Sequence, residues 1–533
     1  MLDVIHLILG LLVGVAVLSA LARRIQVPPA IVLVIGGALF GLIPGLPPVH
    51  LDPDLVFLFF LPPLLYPAAL FTSWRDFRAN LRPISFLAVG LVLFTTAAIA
   101  WLAHRVIGLP LAAGFVLGAI ISPPDAVAAT AITQRLRVPR RIITILEGES
   151  LVNDATALVA YRFAVAAMVT GAFSWADAGW RFVVVGAGGV AIGLAIGKIV
   201  AWIHQRLDDP PVQVTISLLT PFAAYVLADR LGVSGILAVV TAGVYLGWRS
   251  PEITTARMRL LVRPVWETIG FVLNGFIFIL IGLQLPDVLD AVSAHSPSQL
   301  AGYALLISLA VILVRVLWVF PAAYLPRWLF KSIRERDPYP GWQPLILIGW
   351  TGMRGVVSLA AALAVPFTLA DGSAFPGRSL ILFLTFAVIV ATLVVQGLSL
   401  PVIVRWLRIE DDGTDEIEER EARLKANQAA LVRLNELAQS QAINTDVVQR
   451  MRVEYDDRIR QLELVESTDG VAPRRLFAPD YEALSREVLQ VERNVILQLR
   501  NEHVINDEAL RRIQRDIDLA EARLQRHPSR ARS

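Results

Sequence analysis

Ile121-Ser122-Pro123-Pro124-Asp125-Ala126-Val127-Ala128 interrupts an apolar run, 109–133, that is otherwise long enough to cross a bilayer. Two consecutive prolines remove two amide donors from the middle of the run and break the helix there. An aspartate stands at the break. Acids and arginines at bilayer depth cost about 2.5–3.5 kcal/mol each on insertion scales, so a chain does not normally retain them for packing. Glu147-Gly148-Glu149-Ser150-Leu151-Val152-Asn153-Asp154 and Gly349-Trp350-Thr351-Gly352-Met353-Arg354-Gly355 repeat the pattern, polar motifs inside apolar segments. Together they mark a path for a charged substrate and predict an ion transporter.

Around these motifs the chain divides in two. It has 533 residues, 56% hydrophobic and 17% charged. Up to about 408 it is a series of apolar runs; beyond, Glu410-Asp411-Asp412-Gly413-Thr414-Asp415-Glu416 opens a charged tail. The reading is an all-α polytopic membrane protein, with 1–408 as the transmembrane domain and 409–533 as a helical cytoplasmic domain. About thirteen transmembrane helices are expected: 4–22, 29–45, 55–71, 84–103, 109–133, 144–171, 180–203, 212–229, 233–248, 266–286, 299–324, 343–368 and 378–406. The run from Leu2 to Leu21 has no basic stretch before it and is read as the first span, not a cleaved signal.

Loop charge alternates. Arg23/Arg24, Arg75/Arg78/Arg82, Arg135/Arg137/Arg140/Arg141, Arg206, Arg249/Arg257/Arg259/Arg263 and Arg327/Lys331/Arg334/Arg336 fall in one set of loops, while 46–54, 172–179 and 287–298 hold no Lys or Arg. The positive-inside rule puts the first set in the cytoplasm, the N-terminus outside and the tail inside the cell. The net charge of +3 therefore reflects loops facing lipid headgroups and implies no nucleic acid. With no cysteine, disulfides and metal–thiolate sites are excluded.

The span at 109–133 and the span at 343–368, with Gly349, Gly352 and Gly355 around Arg354, lie seven apart in the order. An inverted repeat of six spans with one linker would put each break at the same place in its half, where transporters hold their substrate. Asp125 sits at unwound backbone, as an ion ligand or as the cap of a second half-helix. Ser150 and Asp154 share a helix face, as do Glu149 and Asn153. Asp154 is the candidate carboxylate shared by proton and cation, with Ser150 a neutral ligand; the set able to hold the cation is Asp154, Asp125 and Ser150. Asn153 braces either Asp125 or the unwound backbone. Glu147 is read as a helix cap. Arg315, deep in Val311-Ile312-Leu313-Val314-Arg315-Val316-Leu317-Trp318, needs a buried partner, and Glu149 is proposed as the structural pair. Arg354 must meet another acid or a helix C-terminus, and with Pro124 it supports the break. Arginine stays protonated, so neither is the proton carrier. If Arg354 is matched in this way, Asp125 and Asp154 remain, two close carboxylates that resist being bare together, and one proton trades for one cation. The histidines His6, His50, His104, His204 and His295 fall near span ends or loops.

These motifs resemble the monovalent cation:proton antiporter-1 family, which includes bacterial and animal sodium/proton exchangers. Phe60-Leu61-Pro62-Pro63-Leu64-Leu65 and Leu273-Asn274-Gly275-Phe276 through Leu285-Pro286 add to the match. The resemblance implies thirteen spans, a six-helix core that moves against a dimerisation domain, and a homodimer. It implies that Asp154 is the main carboxylate, that Asp125 and Asn153 belong to the helix crossing, and that Ser150 is a ligand. It also implies that Glu149 with Arg315 is the stabilising pair. The Asn–Asp order looks like the electroneutral branch. Two positions depart from the pattern: Pro124 replaces a residue that is often Thr, and Tyr66-Pro67 stands where many relatives carry an acid.

The expected activity is exchange of sodium, with potassium and lithium as alternatives, for protons across the cell membrane, without a cofactor. The runner-up is a cation channel regulated by the cytoplasmic tail, although no filter loop is visible. No Ser/His or metal-ligand cluster supports an enzyme. The tail is expected to form helices over 414–440, 444–466, 478–503 and 506–525.

Overall fold

The computed structural model describes residues 2–25, 27–43, 56–125, 138–170, 175–369, 372–409, 414–440, 444–463, 478–502, 510, 513–514 and 516–521. Contacts divide the chain into two compact units, Met1–Asp412 and Gly413–Ser533.

The first unit is helical throughout its described core. Its elements are α1 (Leu2–Arg24), α2 (Pro29–Gly41), α3 (Leu61–Phe71), α4 (Leu81–Ile107), α5 (Leu111–Ile121), α6 (Arg140–Thr170) and α7 (Trp175–His204). They continue with α8 (Pro210–Arg230), α9 (Gly235–Ile253), α10 (Ala256–Leu283), α11 (Pro297–Leu329), α12 (Trp342–Trp350), α13 (Val356–Leu363) and α14 (Arg378–Leu407). Each apolar run read from the sequence thus holds helix, although the half of 109–133 beyond Asp125 lies outside the described residues.

Local chemistry sets the ends. Asp209, Ser234, Thr255 and Ser296 accept from the backbone amides of Val212, Leu237, Met258 and Gln299, capping α8 to α11. Helix α10 begins ten residues before the expected 266, because apolarity marks lipid whereas hydrogen bonding marks helix. Its first turns carry Arg257, Arg259 and Arg263, with Thr255 as the cap. The span expected to reach 368 stops at Leu363, just ahead of Pro366, which disfavours continuation.

Two apolar bodies result. One gathers α1, α2, α4, α5, most of α6, the second half of α10, and α11 to α14. The other gathers α3, α7, α8, α9 and the first half of α10 around Tyr66, Val239 and Trp266. Helices α6 and α10 belong to both: on α6, Leu146 and Tyr161 pack in the first and Leu151 and Ala155 in the second; on α10, Ile277 to Ile281 pack in the first and Met258, Val262 and Trp266 in the second. Helix α5 is drawn tightly onto α4 because Gly114 and Gly118 lie against the carbonyls of Ala100 and Thr96, the close approach that small residues permit in membranes.

The second unit holds α15 (Thr414–Ser440), α16 (Thr445–Glu463) and α17 (Ala478–Asn501). Ile496, Leu510 and Ile517 form a small apolar cluster, and Arg493 reaches Asp518 at 2.7 Å and Glu521 at 2.8 Å.

Candidate ion-binding site

Two interruptions of helix meet inside the first unit. Helix α5 ends at Ile121, and Ser122–Asp125 is unwound; Thr351–Gly355 separates α12 from α13. The amide of Asp125 donates to the carbonyl of Met353 at 2.7 Å, so the two unwound segments join through backbone. The Asp125 carboxylate lies against Gly355, where any side chain would collide with it. That places an acid at the N-terminus of α13, the end that favours negative charge. The alternative, a cap for the second half of its own span, falls on residues outside the described set.

Helix α6 brings the other polar groups. Asn153 is fully buried and donates through Nδ2 to the carbonyl of Pro124 at 2.8 Å. Of the two partners open to it in the sequence, it takes the unwound backbone. Its Oδ1 is buried without a hydrogen-bond partner among the described residues. Asp154 is 6% exposed, and it follows Asn153, whose amide holds the unwound turn that carries Asp125. Ser150 is half-buried one turn earlier on the same face. Glu147 lies two turns inside a helix that starts at Arg140, too deep to cap it. Leu151 and Ala155, beside these residues, pack on the second apolar body, so the carboxylate stands at the seam between the bodies.

Both buried arginines are engaged. Arg315 grips Glu149 with two teeth, Nη1 to Oε1 at 2.5 Å and Nη2 to Oε2 at 2.8 Å, and its Nε donates to Ile348 O at 3.2 Å. The two side chains are 0% and 1% exposed. Gly352 leaves the room for this arginine, since an added Cβ would meet its Cδ. Arg354 takes a helix C-terminus: Nε donates to Ile121 O at 3.0 Å, Nη2 to Ser122 O at 3.5 Å and Nη1 to Gly352 O. Ile121 O and Ser122 O are end carbonyls of α5, left over where the helix stops.

Two participants have no obvious mark in the sequence. Thr392 of α14 accepts from the Arg354 amide at 3.1 Å and steadies the second break. Arg378 donates to Val365 O at 2.9 Å and Leu363 O at 3.3 Å, closing the C-terminal end of α13 as Arg354 closes that of α5. The only sequence signal for Arg378 is a cation just past a proline-ended half-helix. Asp229, at the end of α8, pairs with Arg162 at 3.5 Å, both side chains exposed.

Discontinuous helices crossing beside buried carboxylates, at the boundary of two packing bodies, define a secondary ion transporter. The chain belongs to the sodium/hydrogen exchanger family, whose transmembrane model matches residues 10–406. It is 37% identical over 529 residues to a Na(+)/H(+) exchanger of Mycobacterium tuberculosis, covering 97% of each chain. It is also 37% identical over 414 residues to the sodium, potassium, lithium and rubidium/H(+) antiporter of Bacillus subtilis, covering 75% of this chain and 61% of that one. The solved sodium proton antiporter MjNhaP1 of Methanocaldococcus jannaschii superposes with a TM-score of 0.60 at 20% identity, over 76% of this chain and 98% of that one, a likeness of fold. The family is one of transporters rather than enzymes, and it gives no support to a channel.

Proposed function

We propose that the chain exchanges a monovalent cation, sodium first, for a proton at Asp154, by alternating access between the two apolar bodies. The observation that carries this reading is the place of Asp154: buried, next to the crossing of both breaks and on a helix that packs in both bodies. Asp125, Ser150 and Asp154 supply hard oxygen ligands to the cation, and Asn153 holds the unwound turn in place. Breadth toward potassium and lithium is supported by the likeness to the Bacillus sodium, potassium, lithium and rubidium/H(+) antiporter.

The pairing of the fixed charges supports a one-for-one, electroneutral exchange. Arg315 is matched by Glu149 and Arg354 by helix-end carbonyls. Asp154 is then the group that exchanges its proton for the cation. We further propose that the N-terminus is outside, that Gly413–Ser533 is cytoplasmic, and that the chain works as a homodimer. In proteoliposomes, sodium-driven proton movement should be unchanged when the membrane potential is clamped at different values; a voltage-dependent rate rejects one-for-one exchange. Asp154→Asn should abolish it.

A further inference from the structure

At one end of the first unit, charge gathers that the exchange does not use. Arg82 is the second residue of α4, Arg141 the second of α6, and Arg327 lies in the last turn of α11. All three reach Asp337, which follows the short helix Lys331–Arg336. Arg141 Nη2 donates to Oδ1 at 2.9 Å, Arg327 Nη2 to Oδ2 at 2.6 Å, and Arg82 Nη2 to the same Oδ2. Arg327 is held further by the carbonyls of Asp337 and Pro338, at 3.0 and 3.1 Å. Partial burial opposes the charge on Asp337, but Arg141, Arg327 and Arg82 outweigh it and hold its carboxyl below the ordinary value.

Three guanidiniums on one carboxylate leave a surplus of two positive charges. The neighbouring Arg140–Asp76 pair, at 2.6 Å, adds none. Arg82 and Arg141 also stand in the first turns of their helices, where the backbone dipole disfavours cations and attracts anions. Two helix N-termini and two unmatched charges therefore converge at the level where spans begin and end. Around them Leu81, Trp328, Leu329, Phe330 and Tyr339 are exposed; Trp and Tyr at span ends sit at headgroup depth.

We propose that this arginine knot binds the phosphate of an anionic phospholipid, with the acyl chains lying over the exposed apolar side chains beside it. The inference needs only that the chain is a membrane protein, and its test does not read transport. Purified full-length protein in detergent is titrated with phosphatidylglycerol or phosphatidylcholine, and bound lipid is counted by native mass spectrometry alongside thermal unfolding. Phosphatidylglycerol should bind and raise the unfolding temperature; phosphatidylcholine should not. The double variant R82Q/R141Q keeps the Arg327–Asp337 pair and should lose about fivefold in phosphatidylglycerol affinity for each arginine removed. Asp337→Asn should act in the opposite direction and tighten binding, which decides the matter should the double variant fail to fold. Equal binding by wild type and R82Q/R141Q, or no gain in Asp337→Asn, overturns the proposal. Equal protection by glycerol 1-phosphate overturns the lipid as occupant and assigns the site to a free phosphate.

Discussion

Glu149 and Asp154 are five residues apart on one helix, both buried, and they meet opposite surroundings. Glu149 is gripped at both oxygens by Arg315. Asp154 is buried beside the turn that carries another acid, Asp125, the turn that Asn153 holds through Pro124. A carboxylate matched by a fixed arginine has no reason to give up either partner. A carboxylate facing a second acid in a dry site is stable only when something positive and mobile joins it. One helix therefore carries a structural charge and an exchangeable one, and position relative to Arg315 separates them.

The largest break in this comparison is Asp154→Asn, which should reduce exchange to the background of empty liposomes while the protein stays folded. Next, Arg315→Met leaves Glu149 buried and alone, at a cost of about 3–5 kcal/mol in stability. The pair E149L/R315M should recover most of that loss in thermal unfolding and retain sodium/proton exchange. Folded but inactive protein would place the pair in the ion path. Asn153→Ala takes the donor from the buried Pro124 carbonyl and should destabilise by about 1–3 kcal/mol, with a weaker apparent sodium affinity. Thr392→Val, which leaves the Arg354 amide without its acceptor, should cost about 1 kcal/mol.

The smallest effect concerns the knot at the span ends. Because the folded state holds Asp337 below its unfolded value, near 3.9, its contribution is fully present above that value. It is lost as pH falls through the lower folded value. Unfolding temperature differences between wild type and Asp337→Asn should thus stay constant from about pH 5 to 8 and shrink only in acid.

What could be read in advance had a local cause. Pro123 and Pro124 break a helix wherever they stand, and glycines around a buried arginine announce an unwound turn. Arg315, with apolar neighbours on every side, needs a buried acid, and Glu149 meets it across 166 positions of chain. What could not be read depends on which surfaces meet. Nothing local distinguishes Thr392 from Thr385, since both bond back to their own helix, at Val388 and Ile381; only the former also touches the break. Arg354 met carbonyls because α5 ends beside it. Glu147 looked like a cap because the apolar run starts at 144, whereas the helix starts at Arg140. Arg82 and Arg141 counted as loop charges until Asp337 drew them together.

The sodium KM of purified protein in proteoliposomes, measured against pH, tests the shared carboxylate most directly. Competition for Asp154 predicts that KM rises about tenfold for each unit of pH below the site's own titration, with the maximal rate preserved. A sodium KM that stays flat with pH while proton transport continues would mean that the two ions do not compete for one group, and would contradict the account.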